Sequence, residues 1–165
     1  MDQLVEVAQK SVPFFVADLP YQWVEWTENT LVSADEVVIT ATPDLAGLRN
    51  AKNLFDLLVQ KRTNDPKPHV ILNQVGRSKD TEIKLDAFED ALDTEIATSI
   101  PFDPSLFGMA MNNGQMIGEC NAKSPIVQQF KSMAATLTGR GEIKAADRKK
   151  PMLPFLDKLR QKKAS

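Results

Sequence analysis

Short apolar runs alternate with amphipathic stretches along this chain, and the alternation limits the folds that the sequence can adopt. The runs are rich in Val, Ile and Phe and last only a few residues, which is typical of buried strands. Between them, apolar residues recur at every third or fourth position, as they do on one face of a helix. Strands that alternate with helices form parallel sheets covered by helices on both faces. The sequence therefore predicts an α/β fold with three layers and a mostly parallel sheet.

Four short apolar runs are predicted as strands. They cover residues 12–17, 36–40, 69–75 and 95–100. The predicted helices cover residues 2–10, 21–34, 43–62, 80–93, 104–113 and 125–138, with Thr42, Asp103 and Ser124 as N-caps of the third, fifth and sixth. Trp23, Val24 and Trp26 could instead lie in a loop. The Asn-Asn-Gly sequence at 112–114 predicts the end of the fifth helix, because Asn and Gly tolerate left-handed backbone.

Length, composition and cysteine content indicate a single globular domain in a reducing compartment. The chain has 165 residues, of which 42% are hydrophobic and 25% charged, as in ordinary folded proteins. No apolar run approaches the ~18 residues of a membrane-spanning helix, and the amino terminus lacks the apolar core of a signal peptide. Cys120 is the single cysteine, so it cannot form an internal disulfide. We therefore expect a cytoplasmic protein.

Charge is divided unevenly between the body of the chain and its end. Residues 140–165 contain nine Lys or Arg and three Asp or Glu, whereas the rest of the chain is acidic. We therefore predict a domain over residues 1–139, followed by a basic, flexible tail over residues 140–165. Apolar residues interleave with bases between Met152 and Lys163, which suggests contact with an anionic membrane, although two prolines in the tail favour disorder or docking on its own domain. Nucleic acid is not an expected partner, because the acidic body would repel its phosphates.

Three of the predicted strands end at residues that could form a ligand site. Asp18 follows the first strand, Asn73 lies near the end of the third, and Pro101-Phe102-Asp103 follows the fourth. The carboxyl ends of parallel strands meet at one edge of a sheet, where open α/β sheets bind their ligands. Each residue also has a local explanation: Asp18 could cap the segment that follows, Asn73 could be a turn residue, and Asp103 could be an N-cap.

Taken together, these motifs resemble the second half of the MinD/ParA-type ATPases, which are P-loop proteins. They comprise Asp-Leu-Pro at 18–20, the block ADEVVITATPDLAGLRNAKNL, the strand with Asn73, the Pro-x-Asp turn at 101–103 and the later NNGQMIG. Their order and spacing are similar to those of the pilus-assembly branch called CpaE or TadZ. The resemblance covers roughly Leu4 to Leu137.

The resemblance implies a role for each of the strand-end residues. Asp18 matches the Walker B acid, which reaches Mg²⁺ through water. Asn73 matches the Asn whose side-chain amide recognises the adenine edge. Pro101, Phe102 and Asp103 match the turn that packs beside the base. The family therefore implies ATP and Mg²⁺ as cofactors of the full-length protein.

The glycine-rich loop that binds phosphates in this family is missing from the sequence. None of the seven glycines begins a G-x-x-x-x-G-K-[ST] pattern. We therefore predict a partial P-loop NTPase fold without the P-loop strand, and a chain that does not hydrolyse ATP by itself. In the family the P-loop strand lies between the strands that match 12–17 and 36–40, so its absence leaves two open edges. Either these strands close up or a second copy fills the gap, and we favour a homodimer, with or without exchanged elements.

The sequence is compatible with two functions. In the first, the chain is the C-terminal part of a CpaE/TadZ-like ATPase of type IV (Flp/Tad) pilus assembly. ATP would then control dimerisation and localisation at the inner membrane or the cell pole, and other pilus-assembly or secretion components would be the partners. In the second, the same half-fold is a nucleotide-free interaction module.

Overall fold

Strands and helices alternate along the part of the chain that the structure describes. The computed structural model describes Val7 and residues 11–20, 23–78 and 80–140. In chain order the elements are α1 (Glu25–Ser33), β1 (Val38–Ala41), α2 (Leu45–Lys61), β2 (His69–Val75), α3 (Leu85–Leu92), β3 (Ile96–Pro101), α4 (Pro104–Asn113), α5 (Ile117–Cys120) and α6 (Pro125–Leu137). None of the helices in these ranges is long and apolar enough to cross a membrane.

The sheet has three parallel strands in the order β1-β2-β3. Val38 of β1 pairs with His69 of β2, and Val70 of β2 pairs with Ile96 of β3. Each crossover between neighbouring strands contains a helix, as parallel strands require. The predicted α/β class and parallel sheet are therefore confirmed.

Two apolar cores lie on opposite faces of this sheet. Val70 and Leu72 of β2 are buried on the face that α2 and α3 cover, where they belong to one cluster with Leu58 and Phe88. Ile71, between them in sequence, belongs to the second cluster, which α4 and α6 complete through the residues Leu106 and Ile126. Successive side chains of a strand point to opposite faces, so a strand that is apolar at every position must be covered on both sides. The three predicted layers are confirmed.

The predicted first strand, 12–17, does not form. The segment has no regular secondary structure and pairs with no described strand, and its side chains are exposed, with Val16 at 91% and Phe14 at 52%. A strand needs a hydrogen-bonded neighbour, and β1 ends the described sheet on this side without accepting one. Pro13 also lacks a donor for a ladder. The two edges therefore do not close up against each other.

The predicted helices on residues 23–140 are confirmed, with corrections at three of their starts. The helix expected from residue 21 begins at Glu25, so Trp23 and Val24 lie before it and Trp26 lies within it. The helix expected after Thr42 begins at Leu45, because the carboxylate of Asp44 rather than the hydroxyl of Thr42 accepts the N–H of Gly47, at 2.8 Å. The helix expected from residue 80 begins at Leu85, since residues 80 and 81 form a turn and Lys84 has extended backbone. The predicted caps Asp103 and Ser124 are confirmed. The predicted helix 2–10, apart from Val7, and the basic tail, apart from Arg140, lie outside the described residues.

Arg62, at the end of α2, is buried and holds α1 against the rest of the domain. Its guanidinium donates to the carbonyl oxygens of Ala34 at 2.8 Å and of Asp35 at 3.1 Å, just after α1 ends. A weaker bond at 3.3 Å reaches the carboxylate of Asp65. The cation therefore satisfies backbone acceptors that the helix itself leaves free. No pattern in the sequence distinguished this arginine from surface arginines.

Candidate functional site

The carboxyl ends of β2 and β3 bring most of the predicted site residues to one edge of the sheet. Val75 pairs with Pro101, and the N–H of Phe102 donates to the carbonyl oxygen of Val75 at 2.8 Å. Asn73 lies two residues before Val75 on the same strand. The region of Asn73 and the turn that begins at Pro101 are therefore neighbours, as the strand-end rule predicts.

Asn73 is followed by an unusual turn of the backbone. Gln74 has a φ of 61°, in the left-handed region that a residue other than Gly, Asn or Asp rarely adopts. The pairing of β2 with β3 shifts register between Leu72 and Val75, so the strand is bulged at this point. The side-chain oxygen of Asn73 accepts the N–H of Gln74 at 2.9 Å and stabilises the turn. The Asn73 amide nitrogen has no partner among the described residues, so it can donate to a ligand.

The turn after β3 has an exposed part and a structural part. Pro101 and Phe102 are exposed, with 43% of Phe102 open to solvent. The carboxylate of Asp103 accepts the N–H of Leu106 at 2.9 Å and caps α4. The local explanation of Asp103 as an N-cap is thus confirmed, and its role beside a base stays a prediction.

Asp18 is not brought to this edge by the sheet. It is exposed on an irregular segment, and no described strand fixes its position. Within the described ranges, no hydrogen bond or ion pair connects Asp18 to β2 or β3. No group of three or more metal-binding side chains occurs in these ranges either. The assignment of Asp18 to a magnesium site stays a prediction.

A pocket of about 210 Å³ opens between the ends of β1 and β2. It is lined by Thr42, Pro43, Asp44, Gln74, Arg77, Ser78, Thr81 and Glu82. The hydroxyl of Thr42, with the N–H of Gly47, holds the pKa of Asp44 below its ordinary value of 3.8. Glu82 accepts the N–H of Gly76 at 2.8 Å. Asp44 is therefore ionised at neutral pH, and both carboxylates accept a hydrogen bond from a backbone N–H.

Gly47 permits the loop that forms one wall of this pocket. A Cβ at position 47 would lie 2.1 Å from the carbonyl oxygen of Thr42 and 2.9 Å from its hydroxyl. Only a residue without a side chain allows the first turn of α2 to come so close to the loop. No pattern in the sequence indicated this requirement, because a single Gly inside a helical pattern is common.

Arg77 lies over Phe102 and was not predicted as a site residue. Its guanidinium carbon is 5.6 Å from the centre of the ring, and its Nη1 donates to the side-chain oxygen of Gln74 at 2.5 Å. Its place in the sequence could have identified it, because Arg77 follows Asn73 by four residues, just beyond the end of β2.

The residues at this edge suit the base of a nucleotide but not its phosphates. An amide donor beside an exposed aromatic ring suits a purine base, which combines hydrogen-bonding edges with a flat face. Phosphates need oriented backbone amides or paired cations. The sequence has no glycine-rich loop with lysine to supply them, and Asp18 would add negative charge.

Two curated relatives are similar to this chain in sequence, each over about half of the relative's own length. The septum site-determining protein MinD of Bacillus subtilis is 23% identical over 133 residues, which are 80% of this chain and 46% of that protein. MinD of Thermotoga maritima is 25% identical over 141 residues, which are 82% of this chain and 51% of that protein. No protein-family model matches the chain. The chain thus spans about half the length of the curated relatives it matches.

Solved structures of the same group share the fold. A ParA family ATPase from Chlorobium tepidum superposes with a TM-score of 0.69 at 23% identity, over 79% of this chain and 54% of that one. The cell division ATPase MinD of Pyrococcus furiosus gives 0.69 at 19% identity, over 84% and 57%. MinD in a MinC:MinD complex of Aquifex aeolicus gives 0.69 at 22% identity, over 86% and 59%. Sequence and structure together support a relationship to the MinD/ParA-type P-loop ATPases, whose α/β fold this chain shares.

Proposed function

We propose that this chain is the C-terminal part of a MinD/ParA-type ATPase of the CpaE/TadZ pilus-assembly branch, and that it supplies the edge that recognises the adenine base. The observation that supports this most is the junction of β2 and β3, where Asn73 and Phe102 lie at the carboxyl edge of adjacent parallel strands. In this proposal the Asn73 amide donates to the base, and Pro101 and Phe102 pack against its face. Asp103 holds the turn in place by capping α4.

In the same proposal, a segment outside this sequence binds the phosphates and Mg²⁺. A glycine-rich loop with a lysine would supply the amides and the cation that the triphosphate requires. Asp18 would orient the water shell of the metal, which supplies the electrostatic stabilisation of phosphoryl transfer. ATP would therefore bind only when both parts are present. A nucleotide-free scaffold is the outcome if the longer protein also fails to bind ATP.

Asn73→Ala is expected to raise the KM for ATP several-fold in a protein that includes the P-loop segment, with little change in kcat. The base is bound equally in the ground and transition states, so losing one hydrogen bond of about 1 kcal/mol weakens binding and leaves the chemical step unchanged. Steady-state kinetics measure both constants. Asn53→Ala, an exposed asparagine on α2, is the matched control. An unchanged KM for Asn73→Ala would remove Asn73 from the site.

Self-association is the second part of the proposal. β1 is an edge strand of the described sheet, and the apolar segment 12–16, which precedes α1, is exposed, so both can recruit a second copy. Light scattering should give a mass of about twice 18.3 kDa, and Val16→Asp should shift it toward the monomer. Leu45→Asp, at an exposed apolar residue on α2, is the control and should leave the dimer intact. A monomer at high concentration would contradict the proposal.

Partners and localisation complete the proposal. The MinC:MinD complex shows that a protein of this fold assembles with another protein. For this chain we propose other pilus-assembly or secretion components as partners, and a cytoplasmic location with contact at the inner membrane or the cell pole. Residues 140–165 would form a separate basic tail, with Met152–Lys163 on anionic lipid. Flotation with phosphatidylglycerol vesicles tests this contact, and equal recovery without residues 141–165 would contradict it.

A further inference from the structure

Arg77 is a cation without an acidic partner at the proposed base edge. Within the described ranges, its guanidinium contacts only neutral groups, the side-chain oxygen of Gln74 and the ring of Phe102. None of the described ion pairs includes it. A contact between an exposed arginine and an aromatic ring is weak, so little free energy holds the guanidinium in this position.

The position of Arg77 conflicts with the role proposed for Phe102. A planar guanidinium stacks on an aromatic face in the same way as a purine base does. The ring of Phe102 is only partly exposed, and Arg77 lies over it. A base that packs on this face must displace the guanidinium.

The pocket beside Arg77 offers the displaced guanidinium a second position. Arg77 lines this pocket of about 210 Å³ together with the carboxylates of Asp44 and Glu82. Oδ1 of Asp44 accepts the N–H of Gly47, and Oε2 of Glu82 accepts the N–H of Gly76. Asp44 also accepts a hydrogen bond from the hydroxyl of Thr42. Carboxylates accept several hydrogen bonds, and arginine binds them through a fork of donors. The pocket therefore offers acceptors for the charge of Arg77 once a base occupies the ring.

We propose that the side chain of Arg77 has two positions and controls access of a base to the ring of Phe102. We call this two-position side chain the gate. In the free chain it stacks on Phe102, and when a purine base occupies the ring it turns into the pocket toward Asp44 and Glu82. The proposal rests on the proposed function, since it takes the ring of Phe102 as the platform for the base. It adds a residue whose movement couples the base edge to the loop before α2.

Nuclear magnetic resonance of the isotopically labelled chain tests the movement of Arg77 and the binding of the base independently. Adenosine, without phosphates, is titrated to millimolar concentration while the backbone amides of Asn73 and Phe102 and the Nε–H of Arg77 are followed. The gate predicts that all three signals move together and that Arg77 loses the ring-current shift caused by Phe102. Movement of the two amides with an unchanged Arg77 signal would overturn the gate and leave the base site standing. No movement of any signal would overturn the base site of this chain and the gate with it.

Adenosine affinity of a matched pair of variants gives the second test. Arg77→Gln removes the cation from the ring, so adenosine should bind about two- to fivefold tighter, because the contact no longer has to be broken. Arg49→Gln changes the charge equally on the exposed side of α2 and should leave the affinity unchanged. Equal or weaker binding to Arg77→Gln would overturn the gate, and weaker binding would make Arg77 a ligand of the nucleoside.

Discussion

Replacing Gly47 by alanine is expected to destabilise the domain by about 3 kcal/mol or more, which is a large part of the total stability of a domain of this size. In an ordinary helix the same change stabilises by up to about 1 kcal/mol, because alanine has the higher helix propensity. Here the new Cβ would lie 2.1 Å from the carbonyl oxygen of Thr42 and 3.0 Å from its carbon. These are backbone atoms, and they cannot rotate away as the end of a side chain can. The steric term is therefore larger than the propensity term.

The loop of Thr42 is also held from both sides, which limits its relaxation. Ala41 before it is buried in β1, and the carbonyl oxygen of Pro43 after it accepts the N–H of Ile83 at 2.8 Å. Gly108 provides the matched control, since it lies in α4 and a Cβ there would meet nothing within 4 Å. Urea unfolding followed by circular dichroism should show Gly108→Ala equal to or more stable than the natural chain. A Gly47→Ala midpoint equal to that of the natural chain would show that the loop moves freely.

Asp18→Ala is expected to lower the turnover number on the order of 100-fold in a protein that includes the P-loop segment. A carboxylate that orients the water shell of Mg²⁺ acts close to the reacting phosphate, and electrostatic placement supplies most of the catalysis in phosphoryl transfer. The loss should appear in kcat, in contrast to the effect on KM expected for Asn73→Ala.

Steady-state ATPase rates distinguish the metal role of Asp18 from a capping role. Asp90→Ala, an exposed acid on α3, removes the same charge away from the sheet edge and should leave the rate unchanged. A near-normal turnover number for Asp18→Ala would show that its carboxylate only caps the local segment.

The sequence predicted β2 to the residue, whereas the same kind of pattern failed at 12–17. The bounds of β2 follow from buried residues on both faces, and its neighbours β1 and β3 lie in the same chain. The segment 12–17 is as apolar, but apolar character alone does not form a strand when no neighbour offers hydrogen bonds. A strand forms only together with a hydrogen-bonded neighbour. The P-loop strand that would pair with 12–17 is not in the sequence.

The shared position of Asn73 and Pro101 at one edge of the sheet was predictable from the sequence, but the contacts around them were not. Parallel topology is enough to place Asn73 and Pro101 at the same edge. The left-handed backbone of Gln74, the stacking of Arg77 and the close approach at Gly47 depend on contacts between segments far apart in sequence. The buried Arg62 is of the same kind, since its acceptors belong to the end of another helix. Local patterns carry no information about such contacts.

Titration calorimetry with Mg·ATP tests most directly whether this chain holds one part of a divided nucleotide site. The chain alone should give no tight binding, because its sequence has no glycine-rich loop with lysine to bind the triphosphate. A longer protein that adds a glycine-rich loop with lysine should bind ATP, and Asp18→Ala or Asn73→Ala should weaken its activity as described. A micromolar dissociation constant for the chain alone would contradict the divided site, and so would the absence of binding to the longer protein.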